Sequence, residues 1–276
     1  MIDPMELADQ LLKVEALVKH FPAARASSRR ESAAAVDGVT FSVLAGKTLS
    51  LVGESGSGKS TLAFCIASME RPTSGRIWID GIELTTLSDR ELRAIRPKIQ
   101  LIFQDAAASM NPRWTALQIV AEPLVIQNQI ARSEQFDRAQ SLLQLVGLPI
   151  DAGSRRLSEF SGGQRQRMAI ARALALQPKL LILDEAFSAL DCSVQAQMAN
   201  LLIELQSSIG ITCLFITHDL AMAALLGDQI AVMDRGRIVE SGDARDVVLH
   251  PATECTRALL AASPRMNQPP DILQIH

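Results

Sequence analysis

The segment GESGSGKST, residues 53–61, constrains this chain of 276 residues more than any other. Gly53, Glu54, Ser55, Gly56, Ser57 and Gly58, followed by Lys59 and Ser60, fit the spacing G-x-x-x-x-G-K-[ST], and Thr61 completes the run. Glycines at these positions let successive backbone N–H groups curl around phosphates, and a helix opening at the lysine adds the positive end of its dipole. The flanks suit this: the apolar run 48–52 reads as a strand, and 60–69 reads as a helix. In that setting Lys59 should reach the β- and γ-phosphates of a nucleotide, and Ser60 should bind Mg²⁺. A plain glycine-rich turn is the competing reading, and the strand–loop–helix context disfavours it.

The remaining elements extend that unit. Residues 12–18 and 39–43 have strand-like apolar content and flank a polar, Ser/Arg-rich stretch, 23–32, that reads as a surface loop. Strands are expected at 76–80, 98–103, 180–183 and 212–217, and helices at 89–94, 163–176 and 194–207. Residues 106–160 carry helical spacing punctuated by Pro112, Pro123 and Pro149, as in a helical subdomain inserted between two halves of a nucleotide-binding core. Short, wholly apolar strands alternating with helices imply an α/β fold with a parallel sheet covered on both faces. Ligands in such sheets sit at the carboxyl ends of the strands. Gly53, Gln104, Asp184 with Glu185, and His218 end these strands, so every candidate group falls on one edge.

Composition narrows the partners. The net charge of -3 gives no positive field to attract a polyanion, so nucleic acid is not an expected partner. No secretory signal is visible at the N-terminus, and the longest apolar run, 173–183, is broken by Gln177, Pro178 and Lys179, too short to span a bilayer. A cytoplasmic chain is expected. The four cysteines, at positions 65, 192, 213 and 255, form no C-x-x-C pair and read as small packing residues.

Residues 180–185, LLILDE, deliver paired carboxylates to that edge. Asp184 reads as the metal-side carboxylate and Glu185 as the general base that polarises an attacking water. Away from a phosphate loop such a pair would read as a solvated turn. Ser161, Gly162, Gly163 and Gln164 open a helix bearing Arg165, Arg167 and Arg172, a second anion-binding helix terminus that one nucleotide cannot easily share with the first.

With this Ser-Gly-Gly-Gln core the chain resembles the ATPases of ABC transporters, whose signature motif it matches. The resemblance spans about residues 10–265 and implies a P-loop NTPase fold: a RecA-like core with a mainly parallel sheet, an N-terminal antiparallel β subdomain and the inserted helices. It implies a single ABC ATPase domain over 10–256 and a C-terminal tail over 257–276. In that family two ATPase units face each other head to tail, and the signature of one closes over the γ-phosphate held by the other. By the same resemblance Gln104 is the Q-loop glutamine that contacts Mg²⁺ and the water, and Asp191, in the run Ser188–Ala189–Leu190–Asp191, belongs to the D-loop. His218 is the switch histidine at the γ-phosphate. Phe21 stands where the family stacks an aromatic ring under adenine, a task for which any π-face serves. Phe160 and Ala186 depart from the family's usual Leu and Pro, and altered packing with retained hydrolysis is expected.

Residues 109–113 (SMNPR) and 250–253 (HPAT) resemble the peptide and nickel importer subgroup, and the runs 178–186, 213–220 and 232–240 look most like the second ATPase of nickel importers. The resemblance implies a partner ATPase subunit, two transmembrane permease subunits, an extracytoplasmic substrate-binding protein and a peripheral place on the cytoplasmic face of the inner membrane. A soluble ABC ATPase of DNA repair or translation is the alternative, disfavoured by the absence of sustained heptads and of a second cassette. A non-hydrolysing regulatory ATPase is disfavoured because Lys59, Asp184, Glu185 and His218 are all present.

Overall fold

The computed structural model describes residues 10–21, 34–128 and 130–263. Its strands are β1 (Gln10–Lys19), β2 (Val36–Leu44), β3 (Thr48–Val52), β4 (Ser74–Ile79), β5 (Ile82–Glu83), β6 (Ile99–Ile102), β7 (Leu180–Asp184), β8 (Thr212–Thr217), β9 (Gln229–Asp234) and β10 (Arg237–Asp243). Its helices are α1 (Lys59–Ile66), α2 (Asp89–Ile95), α3 (Ala116–Gln127), α4 (Arg132–Leu145), α5 (Gly162–Leu174), α6 (Cys192–Ile209), α7 (Leu220–Leu226), α8 (Ala244–Leu249) and α9 (Glu254–Ala262). The expected loop 23–32 lies outside the described residues.

The central sheet has the order β10-β9-β3-β8-β7-β6, parallel throughout except for the antiparallel edge strand β10. Every residue of β3, β7 and β8 is buried, as expected of strands covered on both faces. Successive side chains point to opposite faces. Leu180, Ile182, Leu214 and Ile216 join α1 and the antiparallel sheet β2-β1-β4-β5 in one core, whereas Leu181, Leu183, Cys213 and Phe215 pack toward the helices. α1 is therefore enclosed between two sheets, which fixes the loop that precedes it.

The inserted helices α3 and α4 pack on each other and on α5, so the helical unit also engages the signature helix. Pro123, expected to punctuate, sits inside α3. The Thr115/Gln118 capping box and the buried Ile119, Val120 and Leu124 hold the helix through it, at the loss of the hydrogen bond that the proline nitrogen cannot donate. α1 ends at Ile66 rather than at 69, because Ser68 turns into the left-handed region at φ 55°. α9 runs across the expected boundary at 256, and its Leu259 is buried with Val52, Ile230 and Val232. Leu259, with the partly buried Leu260, thus anchors to the body a stretch expected as tail. Between 218 and 254, where no element is expected from the sequence, lie α7, β9, β10 and α8.

Candidate functional site

Sheet order sets the site. Along β3, β8, β7 and β6, neighbours in space, the chain leaves the carboxyl ends at Gly53, His218, Glu185 and, one residue beyond Phe103, Gln104. Residues as far apart in sequence as 53 and 218 become neighbours because Val52 pairs with Thr217 and Asp184 with Ile216.

The phosphate loop is held from behind. A side chain at Gly53 would collide with the Met233 carbonyl, and one at Gly58, where φ is +106°, with the Ala35 carbonyl. Gly236 N–H donates to the Ser57 carbonyl at 2.9 Å. Gly56, at φ +84°, faces open space, and Glu54, Ser55 and Gly56 are exposed. The loop is thus rigid on its protein side and accessible on the other, and Thr61 lies in the first turn of α1. Lys59 is 3% exposed and donates to the carbonyls of Gly53 and Glu54, both at 2.8 Å, with the Glu185 carboxylate at 4.0 Å. Burial pushes its pKa down against the carboxylates of Glu185 and Asp184. A buried ammonium with mainly carbonyl partners suits an added anion.

Ser60 Oγ donates to Asp184 Oδ1 at 3.1 Å. Burial pushes the Asp184 carboxyl up, the serine hydrogen bond opposes this, and Glu185 adds to it. A hydroxyl and an under-compensated carboxylate side by side are hard oxygen donors, the set that holds Mg²⁺ together with substrate phosphates. Among the described residues no group of three or more His, Cys, Asp or Glu could hold a metal without such help.

Glu185 stands at φ +49°, a conformation uncommon outside glycine, and its N–H donates to the Ile216 carbonyl at 3.0 Å. Its Oε2 is 3.7 Å from His218 Nδ1. Gln104 Nε2 donates to Ser188 Oγ at 3.1 Å, and Ser188 Oγ donates to the Glu185 carbonyl at 2.9 Å. The structure therefore gathers Lys59, Ser60, Asp184, Glu185, His218 and Gln104. The sequence places Ser188 only in the D-loop run; the bond from its hydroxyl to the Glu185 carbonyl is signalled there by nothing but a spacing of three residues, at which side chains bond back to the main chain.

Phe21 is 43% exposed, with the Lys19 ammonium 4.9 Å from its ring centre. β1 brings it to the loop's surroundings: the Lys19 carbonyl accepts from Ala35 N–H at 2.9 Å, and Ala35 is the residue packed against Gly58. The signature is different. Ser161 caps α5 by accepting from Gln164 N–H, and Gln164 Oε1 accepts from Ser161 N–H at 3.0 Å. Gly162 and Gly163 face Leu190 and Val194, so Ser161 to Gln164 sit beside the D-loop and α6. Asp191 caps α6, accepting from the N–H groups of Val194 and Ser193 and the Ser193 hydroxyl, which hold its carboxyl below the usual carboxylate range. The two departures are absorbed by packing: Ala186 is buried, and the buried Phe160 ring lies 4.5 Å from the Arg155 guanidinium.

A glycine loop on a strand–helix turn, a buried lysine, a Ser–Asp oxygen pair and a carboxylate at the same sheet edge define a P-loop ATPase. Residues 36–188 match the ABC transporter family. The peptide ABC transporter ATP-binding protein y4tS of Sinorhizobium fredii is 48% identical over 94% of this chain and 74% of its own length. A Brucella ovis protein whose name assigns it to peptide import is 44% identical over 92% and 78%. The dimeric, post-hydrolysis ATP-binding cassette MJ0796, bound to ADP and Pi, superposes with a TM-score of 0.74 at 30% identity, covering 85% of this chain and 99% of its own. The chain belongs to the ABC transporter family and is one of its ATP-binding, ATP-hydrolysing subunits.

Proposed function

We propose that this subunit energises peptide uptake across the cytoplasmic membrane, with Glu185 as the general base of ATP hydrolysis. The observation that carries the catalytic assignment is the convergence of Lys59, Ser60, Asp184, Glu185 and His218 at adjoining strand ends. Peptide cargo is supported by the names of relatives that match over most of the chain. Nickel or a metal chelate is the second cargo reading, favoured by the likeness of residues 178–186 and 213–220 to nickel importers.

In this reading Phe21 stacks on adenine, the exposed edge of residues 53–58 cradles the phosphates, and Lys59 turns from the loop carbonyls toward the γ-phosphate. Ser60, Gln104 and Asp184 would hold Mg²⁺, which neutralises charge developing on the phosphate oxygens. Glu185 accepts the proton of the attacking water, and His218 hydrogen-bonds the γ-phosphate. Ser161 to Gln164 of a second ATPase subunit complete the pocket, and Asp191 lies at that interface. The dimeric state of the MJ0796 cassette supports the pairing.

Transmembrane permease subunits are the expected membrane partners, since no helix among the described residues is long and apolar enough to cross a membrane. The supporting surface is a cavity of about 310 Å³ beside Gln104, lined by Phe103, Pro123 and Ile126 and bounded by Arg172, with Ile126 71% exposed. Arg172 bonds Glu122 of its wall at 2.6 Å and Ser109, the first residue of the SMNPR run, at 3.3 Å. A cytoplasmic segment of a permease is the occupant proposed, with an extracytoplasmic binding protein delivering cargo on the far side.

Uptake of labelled peptides and of nickel in a strain lacking the gene tests the cargo. Loss of peptide uptake, restored by the wild-type gene and not by Glu185→Gln, is expected. Loss of nickel uptake with peptide uptake intact would replace peptide by nickel.

A further inference from the structure

Ser188 is a junction of hydrogen bonds on the far side of the reactive carboxylate. Its N–H and its hydroxyl both donate to one acceptor, the Glu185 carbonyl, at 3.1 and 2.9 Å. The hydroxyl oxygen keeps a lone pair and accepts from Gln104 Nε2 at 3.1 Å, which uses its donor and an acceptor together. The residue thus held, Glu185, is in the left-handed region at φ +49°, where a side-chain-bearing residue stays only if its surroundings enforce it. Ser188 is half-buried and beside a cavity of about 60 Å³ that also touches Glu185, Thr217 and His218.

We infer that Ser188 is a positioning residue for hydrolysis: its hydroxyl fixes the Glu185 peptide and makes that fixation depend on where Gln104 sits. When Gln104 engages the hydroxyl, the oxygen is polarised and its own donation to the Glu185 carbonyl strengthens, because hydrogen bonds in a chain reinforce one another. When Gln104 is displaced, the hydroxyl keeps its bond to the Glu185 carbonyl but loses the donor that polarises it, and the restraint on the Glu185 peptide weakens. Gln104 directly follows Phe103, which lines the cavity of about 310 Å³, so a displacement of Gln104 reaches the Glu185 peptide through two hydrogen bonds. The inference rests on Glu185 as general base.

The test compares Ser188→Ala, Ser188→Thr, Gln104→Ala and the Gln104→Ala/Ser188→Ala pair in the full chain assembled with its partner subunits, reading ATPase kcat, KM for ATP and melting temperature. Ser188→Ala should lower kcat about tenfold, the worth of one hydrogen bond expressed as rate, with KM and melting temperature little changed. Ser188→Thr keeps the hydroxyl, has the small cavity for its methyl, and should restore most of the rate. The double variant should be no slower than the slower single variant, since both break one chain. Unchanged kcat in Ser188→Ala, equal losses in the Ala and Thr variants, a parallel rise in KM, or multiplying effects in the pair would each overturn the inference. Glu185→Gln serves as the control: normal turnover in that variant would remove the base assignment and the inference with it, whereas lost turnover there beside unchanged kcat in Ser188→Ala would overturn the inference alone.

Discussion

Two helix N-termini of this molecule carry the residues proposed to meet phosphate, and they differ in how finished they are. The loop at residues 53–60 is closed from behind by Met233 and Ala35, and its lysine, serine and facing carboxylates are already bonded or within 4.0 Å of one another. At the head of α5, Ser161 and Gln164 satisfy one another in a capping box, the serine is exposed, and the glycines lean on Leu190 and Val194. The first surface is preorganised by its own chain. The second is a capped, exposed helix terminus that packs on Leu190 and Val194, and in the proposed reading it serves a site completed on a second copy or a related subunit.

That contrast can be broken in stages. The largest effect should come from Glu185→Gln, which keeps the shape and removes the base: turnover should fall by roughly 10²- to 10⁴-fold in a phosphate-release assay while ATP still binds. Normal turnover would remove Glu185 from the chemistry. Lys59→Ala should weaken nucleotide binding about 10- to 100-fold by equilibrium titration, the worth of a charge-assisted hydrogen bond. Unaltered affinity would mean that the lysine serves only its loop carbonyls. Ser161→Ala strips the cap from α5 and should cut turnover on the order of fivefold, with nucleotide affinity of the separated subunit unchanged. Were affinity of the single subunit to fall instead, the two surfaces would serve one nucleotide within one chain.

The smallest effect concerns stability. Burial raises the Asp184 carboxyl, so ionising it costs the folded state more than the unfolded one. That cost is absent below the unfolded carboxylate pKa, grows as pH rises toward the folded value and is complete above it. Asp184→Asn should therefore melt a few degrees higher than the wild type near pH 7 without nucleotide, and the gap should close as pH falls. A lower melting temperature at pH 7 would show that the Ser60 and Lys59 contacts outweigh desolvation.

The site was legible in proportion to how local its signals were. The loop reads directly because its spacing is contiguous, and β8 fell on residues 212–217 as expected because a wholly apolar run bounded by polar residues admits few other readings. Reach across the chain was legible as far as strand ends imply a shared edge, and the roles of Gln104, Asp191 and His218 only through resemblance. Nothing between residues 53 and 233 announces that a Met carbonyl closes the loop, and nothing in LLILDE announces that Glu185 takes a positive φ. Pro123 misled because local propensity marks it as a break, while packing of α3 on α4 and α5 outweighs one missing hydrogen bond. The helices between 218 and 254 are not legible because they are seven and six residues long, too short for a period to show.

By itself the sequence determined the chemical inventory and its polarity: a phosphate loop, carboxylates and a histidine after apolar runs, and hence one edge of one parallel sheet. Contiguous motifs and strand periodicity are properties of the chain and survive without a fold. Only the tertiary structure decided which groups share a hydrogen bond. It put Ser60 on Asp184, His218 beside Glu185, and Ser188 between Gln104 and the Glu185 carbonyl. Those contacts depend on strand order and register, and a few ångströms of shift in either would separate every pair without changing a residue.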